Sequence, residues 1–141
     1  MLKYSQLEFK PSHKYIIFRS YSIMVSNLQK GNQGEKIAQE FLRAKDFQII
    51  DCNWRTGRAE IDIIAKDGQI LVFVEVKTRA YDFFGSPEEF VSGHKQKLIS
   101  EAASVYMEKI KHDWEIRFDV IAIILKNSKL IKLEHFQDAW F

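Results

Sequence analysis

A single cysteine, Cys52, cannot close an internal disulfide. It has no histidine partner near it in sequence, so the expectation is a buried thiol in a reducing compartment, the cytoplasm. No apolar run approaches the roughly 20 residues that span a bilayer, so a soluble chain with no membrane partner is expected. The apolar stretch Tyr15–Phe18 is short, and no small-residue cleavage site follows it, which argues against secretion. Histidines and cysteines at metal-ligand spacing are missing, which weighs against zinc. A glycine-rich phosphate loop is missing too, which weighs against a phosphoesterase acting on small nucleotides.

Net charge is nearly absent as well. The chain of 141 residues totals +2, weak support for a nucleic-acid partner, and its distribution says more than its sum. Residues 1–25 hold Lys3, Lys10, Lys14 and Arg19 against Glu8, a net +3, which leaves −1 for the rest of the chain. That first segment also lacks clear periodicity outside Tyr15–Phe18. It reads as an N-terminal extension, disordered or a misassigned start, with the folded domain spanning 26–141. A hydrophobic content of 46% with 13% aromatics suffices for a core in one domain.

The most informative residues lie around Asp67-Gly68, a dipeptide that favours a two-residue hairpin turn. With Lys66 and Gln69 flanking that turn, Ala65 faces Ile70, Ile63 faces Val72, Asp62 faces Phe73 and Glu60 faces Glu75. Side chains alternate along a strand. Glu60, Asp62, Glu75 and Lys77 then leave one face, while Ile61, Ile63, Val72, Val74 and Val76 leave the other. Leu71 to Val76 is almost continuously apolar, as in a central strand covered on both faces.

Carboxylates opposite one another in a sheet repel by roughly 0.2–1 kcal/mol per pair, and more where water is excluded. A divalent cation reverses that penalty, and oxygen-only ligation by Asp62, Glu75 and Glu60 suits Mg²⁺ or Mn²⁺. The pattern therefore points to a metal-dependent nuclease site, the competing reading being a surface hairpin of solvated acids. Arg55, Arg58, Lys77, Arg79, Lys95 and Lys97 fall near it in sequence, where they could meet phosphates or simply be solvated surface charges.

Asn32-Gln-Gly-Glu35 reads as an N-cap with a reciprocal acid, opening a helix to about Ala44. Glu35 shares a face with Ala38 and Leu42, so it is a fourth acid of the site, a capping-box residue, or both. Phe47–Asn53, Glu60–Lys66, Ile70–Lys77, Arg117–Leu125 and Leu130–Phe136 read as strands, with Trp54–Ala59 a loop. Ser86-Pro-Glu-Glu89 resembles a helix start, Gly93 an interruption, and His94–Ile110 a longer helix with Leu98, Ile99, Ala102, Val105 and Tyr106 on one face. Lys95 falls on that face and either approaches the acids or extends to solvent. Asp119 is a further inward acid or the partner of an arginine, and Trp140-Phe141 is a candidate exposed patch. Helix, three strands, helix and two strands give an α/β fold with a mixed sheet flanked by helices.

Gly34-Glu35, Asn53-Trp54-Arg55, Gly57-Arg58-Ala59-Glu60-Ile61-Asp62-Ile63-Ile64-Ala65, Phe73-Val74-Glu75-Val76-Lys77-Thr78-Arg79, Phe84-Gly85 and Arg117-Phe118-Asp119-Val120 resemble the bacterial YraN-like family, uncharacterised protein family 0102. That family is similar to Holliday-junction resolvases of the PD-(D/E)xK nuclease superfamily. The resemblance spans roughly Lys30 to Leu125, with Ala59 where many relatives have glycine. It implies a restriction-endonuclease-like fold, catalytic roles for Asp62, Glu75 and Lys77, and Glu35 as the acid of the first helix. It further implies Mg²⁺-dependent hydrolysis of phosphodiesters in DNA, branched or junction DNA among them, and a homodimer for paired cuts. Lys77 would act as base or as stabiliser of the transition state. The alternative is a non-catalytic nucleic-acid-binding module that keeps the nuclease fold.

Overall fold

The computed structural model describes residues 7–9, 16–18, 30–80 and 91–140. The helix starting at Ser86 and the Phe84-Gly85 motif lie outside the described residues, as does Phe141. Among the described residues, seven strands and two helices follow in the order β1 (Leu7–Phe9), β2 (Ile16–Phe18), α1 (Lys30–Ala44), β3 (Gln48–Thr56), β4 (Ala59–Asp67), β5 (Ile70–Arg79), α2 (Gly93–Ile110), β6 (Ile116–Lys126) and β7 (Lys129–Phe136). They form one mixed sheet of order β1-β2-β7-β6-β5-β4-β3.

Strands β3, β4 and β5 form an antiparallel meander, β6 runs parallel to β5, and β7 returns antiparallel to β6. Parallel neighbours need a long crossover, and the segment carrying α2 supplies it. The architecture is an α/β fold consistent with the restriction-endonuclease-like fold. Strands β1 and β2, both within residues 1–25, pair with each other and reach β7 through Ile17 opposite Glu134.

Two cores cover the two faces of the sheet. Ile37, Ala38, Phe41 and Leu42 of α1 pack on Ile63, Ala65, Val72, Val74, Ile121 and Ile123. On the other face Ile99, Ala102, Ala103 and Tyr106 of α2 pack on Ile61, Ile64, Leu71, Phe73 and Phe118. This double cover makes Leu71 to Glu75 buried without a break. The buried face of α2 is rotated slightly from expectation: Ala103 is inside, while Val105 is 46% exposed. Trp140 is buried, stacked on Phe118 at 5.2 Å between ring centroids, so it forms no exposed patch.

Element boundaries shift for identifiable reasons. Helix α1 starts at Lys30, so Asn32 and Glu35 lie inside it and the capping-box reading of Glu35 falls. Gly93 begins α2 rather than interrupting it, because the Ser92 hydroxyl accepts the Lys95 amide as the N-cap. Strand β3 runs on through Trp54 to Thr56, which reduces the expected loop to a turn at Gly57-Arg58, with Gly57 at φ 57°. The β4–β5 turn is Gly68-Gln69, since Asp67 pairs with Ile70, Ala65 with Val72 and Ile63 with Val74. Two contacts favour this register. Asp67 accepts an ion pair from Arg117 at 3.0 Å, and Trp114 Nε1 donates to the Gln69 carbonyl at 2.7 Å. The slip from the expected register is two residues, and a period-two strand keeps its faces under such a slip.

One close approach fixes α1 on the sheet. A Cβ added at Gly34 would overlap Thr78 Oγ1 of β5, so the second turn of α1 rests on the strand at a distance only glycine permits. Gly34→Ala is expected to destabilise the fold by about 1–3 kcal/mol, with partial recovery in Gly34→Ala/Thr78→Ala. Urea unfolding of the two variants checks this, and an unchanged midpoint in Gly34→Ala would contradict it.

Candidate metal and nucleic-acid site

The site begins where β4 and β5 part. Their paired register ends at Ile63 opposite Val74. Beyond it Asp62 Oδ2 accepts the Val76 amide at 2.8 Å, taking the role of a backbone carbonyl in the ladder. The side-chain alternation breaks at the same point. Ile61 packs in the α2-side core and Ile63 in the α1-side core, so the expectation that these two share a face does not hold. Asp62 thus sits at the split between the strands.

Around it the structure brings Glu35, Glu60 and Asp62 together. One carboxylate oxygen from each lies within 4.8 Å of the other two. Glu35 comes from α1, set down by the Gly34 contact, while Glu60 and Asp62 come from β4. Asn53, in the adjacent β3, stands beside Glu35 and adopts φ 51°, a left-handed conformation that asparagine tolerates. Glu60 is also paired with the exposed Arg55 at 2.7 Å.

Glu75 and Lys77 lie on β5, as the alternation predicts. Glu75 is only 3% exposed, and its Oε1 is bonded by Lys95 Nζ from the first turn of α2 and approached by Lys77 Nζ at 3.4 Å. Of the two readings left open for Lys95, the structure therefore shows the approach to the acids. Lys97, two positions on, is exposed on the face shared with Gly93, Ser100 and Glu101, and does not turn towards Glu75. Arg58 is exposed in the β3–β4 turn, and the exposed Arg79 donates to the Thr78 carbonyl at 2.9 Å. Of Arg55, Arg58 and Arg79, it is Arg55 that contacts one of the acids, through its pair with Glu60.

The electrostatics follow from burial and crowding. Burial raises the Asp62 carboxyl to about 7, and the Glu75 carboxylate adds to the rise, while the Val76 amide opposes it. Burial also raises Glu35, with Asn53 opposing and Glu60 and Glu75 adding repulsion. Lys77 is lowered by burial, against the pull of Glu75. Burial lowers Lys95 too, but its bond and attraction to Glu75 outweigh that and leave it raised. An oxygen-only set of crowded acids, one of which holds its proton near neutrality, has the chemistry to receive a hard divalent cation.

Asp119 belongs elsewhere. It is fully buried and accepts Arg117 through two nitrogens at 2.8 and 2.9 Å, His135 Nε2 at 2.8 Å and the Asp138 amide at 3.0 Å. Lys45 Nζ lies 3.3 Å from His135 Nδ1, and burial lowers the His135 imidazole against the pull of Asp119. This network ties the end of α1 to β6 and β7 and takes no part in the acidic cluster. Cys52 is half-buried, and burial raises its thiol. Asn53 beside Glu35 and Thr78 beneath Gly34 are contacts that the spacing of the acids does not predict. The signal for Thr78 was the Gly34 beside Glu35, since a glycine early in a helix marks a close approach.

The fold and the site define an α/β protein of restriction-endonuclease-like architecture with an acidic cluster where its central strands part. The chain belongs to uncharacterised protein family UPF0102, which its residues 34–123 match. It is 44% identical over 118 residues to a UPF0102 protein of Christiangramia forsetii, covering 84% of this chain and 98% of that one. Similar relatives occur in Thermodesulfovibrio yellowstonii, 43% identical over 83% of this chain and 100% of the relative, and in Rhodococcus opacus, 40% identical with the same coverage. No helix among the described residues is long and apolar enough to cross a membrane.

The raised Asp62 carboxyl has a consequence for stability. A folded-state value above the ordinary 3.8 means that the stability linked to its proton is full below about 3.8 and lost as pH rises through about 7. In EDTA, Asp62→Asn is therefore expected to stabilise the protein at pH 8 by on the order of 2 kcal/mol, the gain shrinking towards pH 4. Denaturant unfolding at both values checks this, and an equal effect at both would contradict it.

Proposed function

We propose that this protein is a metal-dependent nuclease that hydrolyses phosphodiester bonds in DNA, branched or junction DNA included. The observation that carries the reading is the convergence of Glu35, Glu60 and Asp62 within 4.8 Å of one another, at the split beside Glu75 and Lys77. Crowded carboxylates of this kind are unfavourable alone and favourable around a cation. Mg²⁺ or Mn²⁺ held by Asp62 and Glu60, with Glu35 or Glu75, would polarise a phosphoryl oxygen and make water a stronger nucleophile.

The chain's own residues supply the rest. Asp62 is fixed by the Val76 amide, so its free oxygen is presented in one direction. Lys77 Nζ, near Glu75 and with its proton loosened by burial, can stabilise charge on the phosphate or take a proton from water. Arg55, Arg58 and Arg79, all exposed, would supply positive charge to backbone phosphates. Neither α1 nor α2 carries an acid in its first turn, so no carboxylate within the helix offsets the dipole that favours an anion there. Two symmetric cuts would need two such sites, which a homodimer would provide.

Asp62→Ala, Glu75→Ala and Lys77→Ala are each expected to lower cleavage by at least about 10³-fold while circular dichroism stays unchanged. Four-way junctions, flaps, single strands and RNA, assayed with Mg²⁺, Mn²⁺ or EDTA, form the test panel. Binding without cleavage across the panel would replace the nuclease with a non-catalytic nucleic-acid-binding module, and full activity in Asp62→Ala or Lys77→Ala would refute the assignment of the site.

A further inference from the structure

Glu75 differs from the other acids of the site in having ammonium partners. The three whose oxygens lie within 4.8 Å of one another are Glu35, Glu60 and Asp62. Glu75 borders Asp62 closely enough to raise its carboxyl, yet its Oε1 is committed to two ammonium groups, Lys95 and Lys77. An ammonium on one oxygen of a carboxylate and a divalent cation on the other would stand only a few ångströms apart and repel strongly. Glu75 cannot serve both at full strength.

The partner able to leave is identifiable. Glu75 is buried and held in the centre of the sheet, with 3% of its side chain exposed. Lys77 is 19% exposed and anchored on the same strand two residues on. Lys95 is 40% exposed, reaches in from α2 on a long flexible stem, and can extend to solvent without disturbing the core. Lys95 is also the third residue of α2, where the helix dipole disfavours a cation. Its bond to Glu75 is what holds it there.

We propose that Lys95 is an exchangeable counter-cation of the site: it neutralises Glu75 in the metal-free protein and is released from it when a divalent cation takes Glu75 over. The idea rests on the proposed cation-dependent chemistry and deepens it by giving the site two charge states. In the first, two lysines offset the buried carboxylate and the acids tolerate one another without metal. In the second, Glu75, already beside Asp62, gives an oxygen to the cation and Lys95 moves out to the mouth of the site. Lys95 thereby competes with the metal, and the protein binds the cation more weakly than its four carboxylates would alone.

The test needs no substrate. Mn²⁺ binding is measured by calorimetry on the full chain, as wild type, Lys95→Gln and, for comparison, Lys97→Gln. Lys95→Gln is expected to bind Mn²⁺ about tenfold more tightly, since it removes a competitor, and Lys97→Gln to match wild type. In parallel, acetylation of wild-type lysines by a water-soluble ester is followed by mass spectrometry, and Mn²⁺ should raise the labelling of Lys95 severalfold with Lys97 unchanged. Equal or weaker binding in Lys95→Gln, or labelling of Lys95 indifferent to Mn²⁺, would overturn the role of Lys95 and leave the nuclease reading standing. No Mn²⁺ binding in any of the three proteins would overturn both.

Discussion

The bond from the Val76 amide to Asp62 Oδ2 is the constraint on which the site depends. Two central strands of a sheet normally satisfy each other's backbone, and parting them would orphan an amide in a dry interior. Asp62 fills that vacancy with a carboxylate. The substitution allows β4 to separate from β5 within the fold, and it sends Ile61 to one core and Ile63 to the other. It also leaves a buried negative group among other acids, at a pKa of about 7. An apolar residue at this position would pack well enough, but it would leave the Val76 amide without its partner.

The rest of the fold supports that arrangement from three sides. Gly34 lets α1 sit directly on Thr78, which delivers Glu35 to the split. The N-cap at Ser92 starts α2 at a point where Lys95 can reach Glu75. At the far end of α1 the buried set Arg117, Asp119, His135 and Lys45 binds strands and helix together with every charge answered. The two polar clusters differ in that respect. The one at Asp119 is satisfied and structural, whereas the one at Asp62 keeps acids crowded against one another.

Much of this was legible in the residues because a strand has a period of two. Asp62 had to meet Glu75 whichever even register the hairpin took, so placing the turn at Asp67-Gly68 instead of Gly68-Gln69 cost nothing there, whereas Glu60, beyond the break in alternation, meets Glu35. The strands and long helices announced themselves through their apolar spacing. What stayed hidden was tertiary. The ion pair of Asp67 with Arg117 sets the turn from 50 residues away in sequence. The break in alternation at Asp62 depends on a side chain replacing a backbone group, which no periodicity encodes. Trp140, near the end of the chain, is buried because Phe118 offers it a stacking surface. Lys95 stood between site and solvent until the position of Glu75 was known.

Glu35, Glu60 and Asp62 are proposed to form a divalent-cation site at the parting of β4 and β5. Anomalous diffraction from crystals grown with Mn²⁺ tests it most directly. The expected result is one strong peak bonded to Asp62 and Glu60, with the Val76 amide still donating to the other oxygen of Asp62. A peak elsewhere, or none with Mn²⁺ in excess, would contradict the claim.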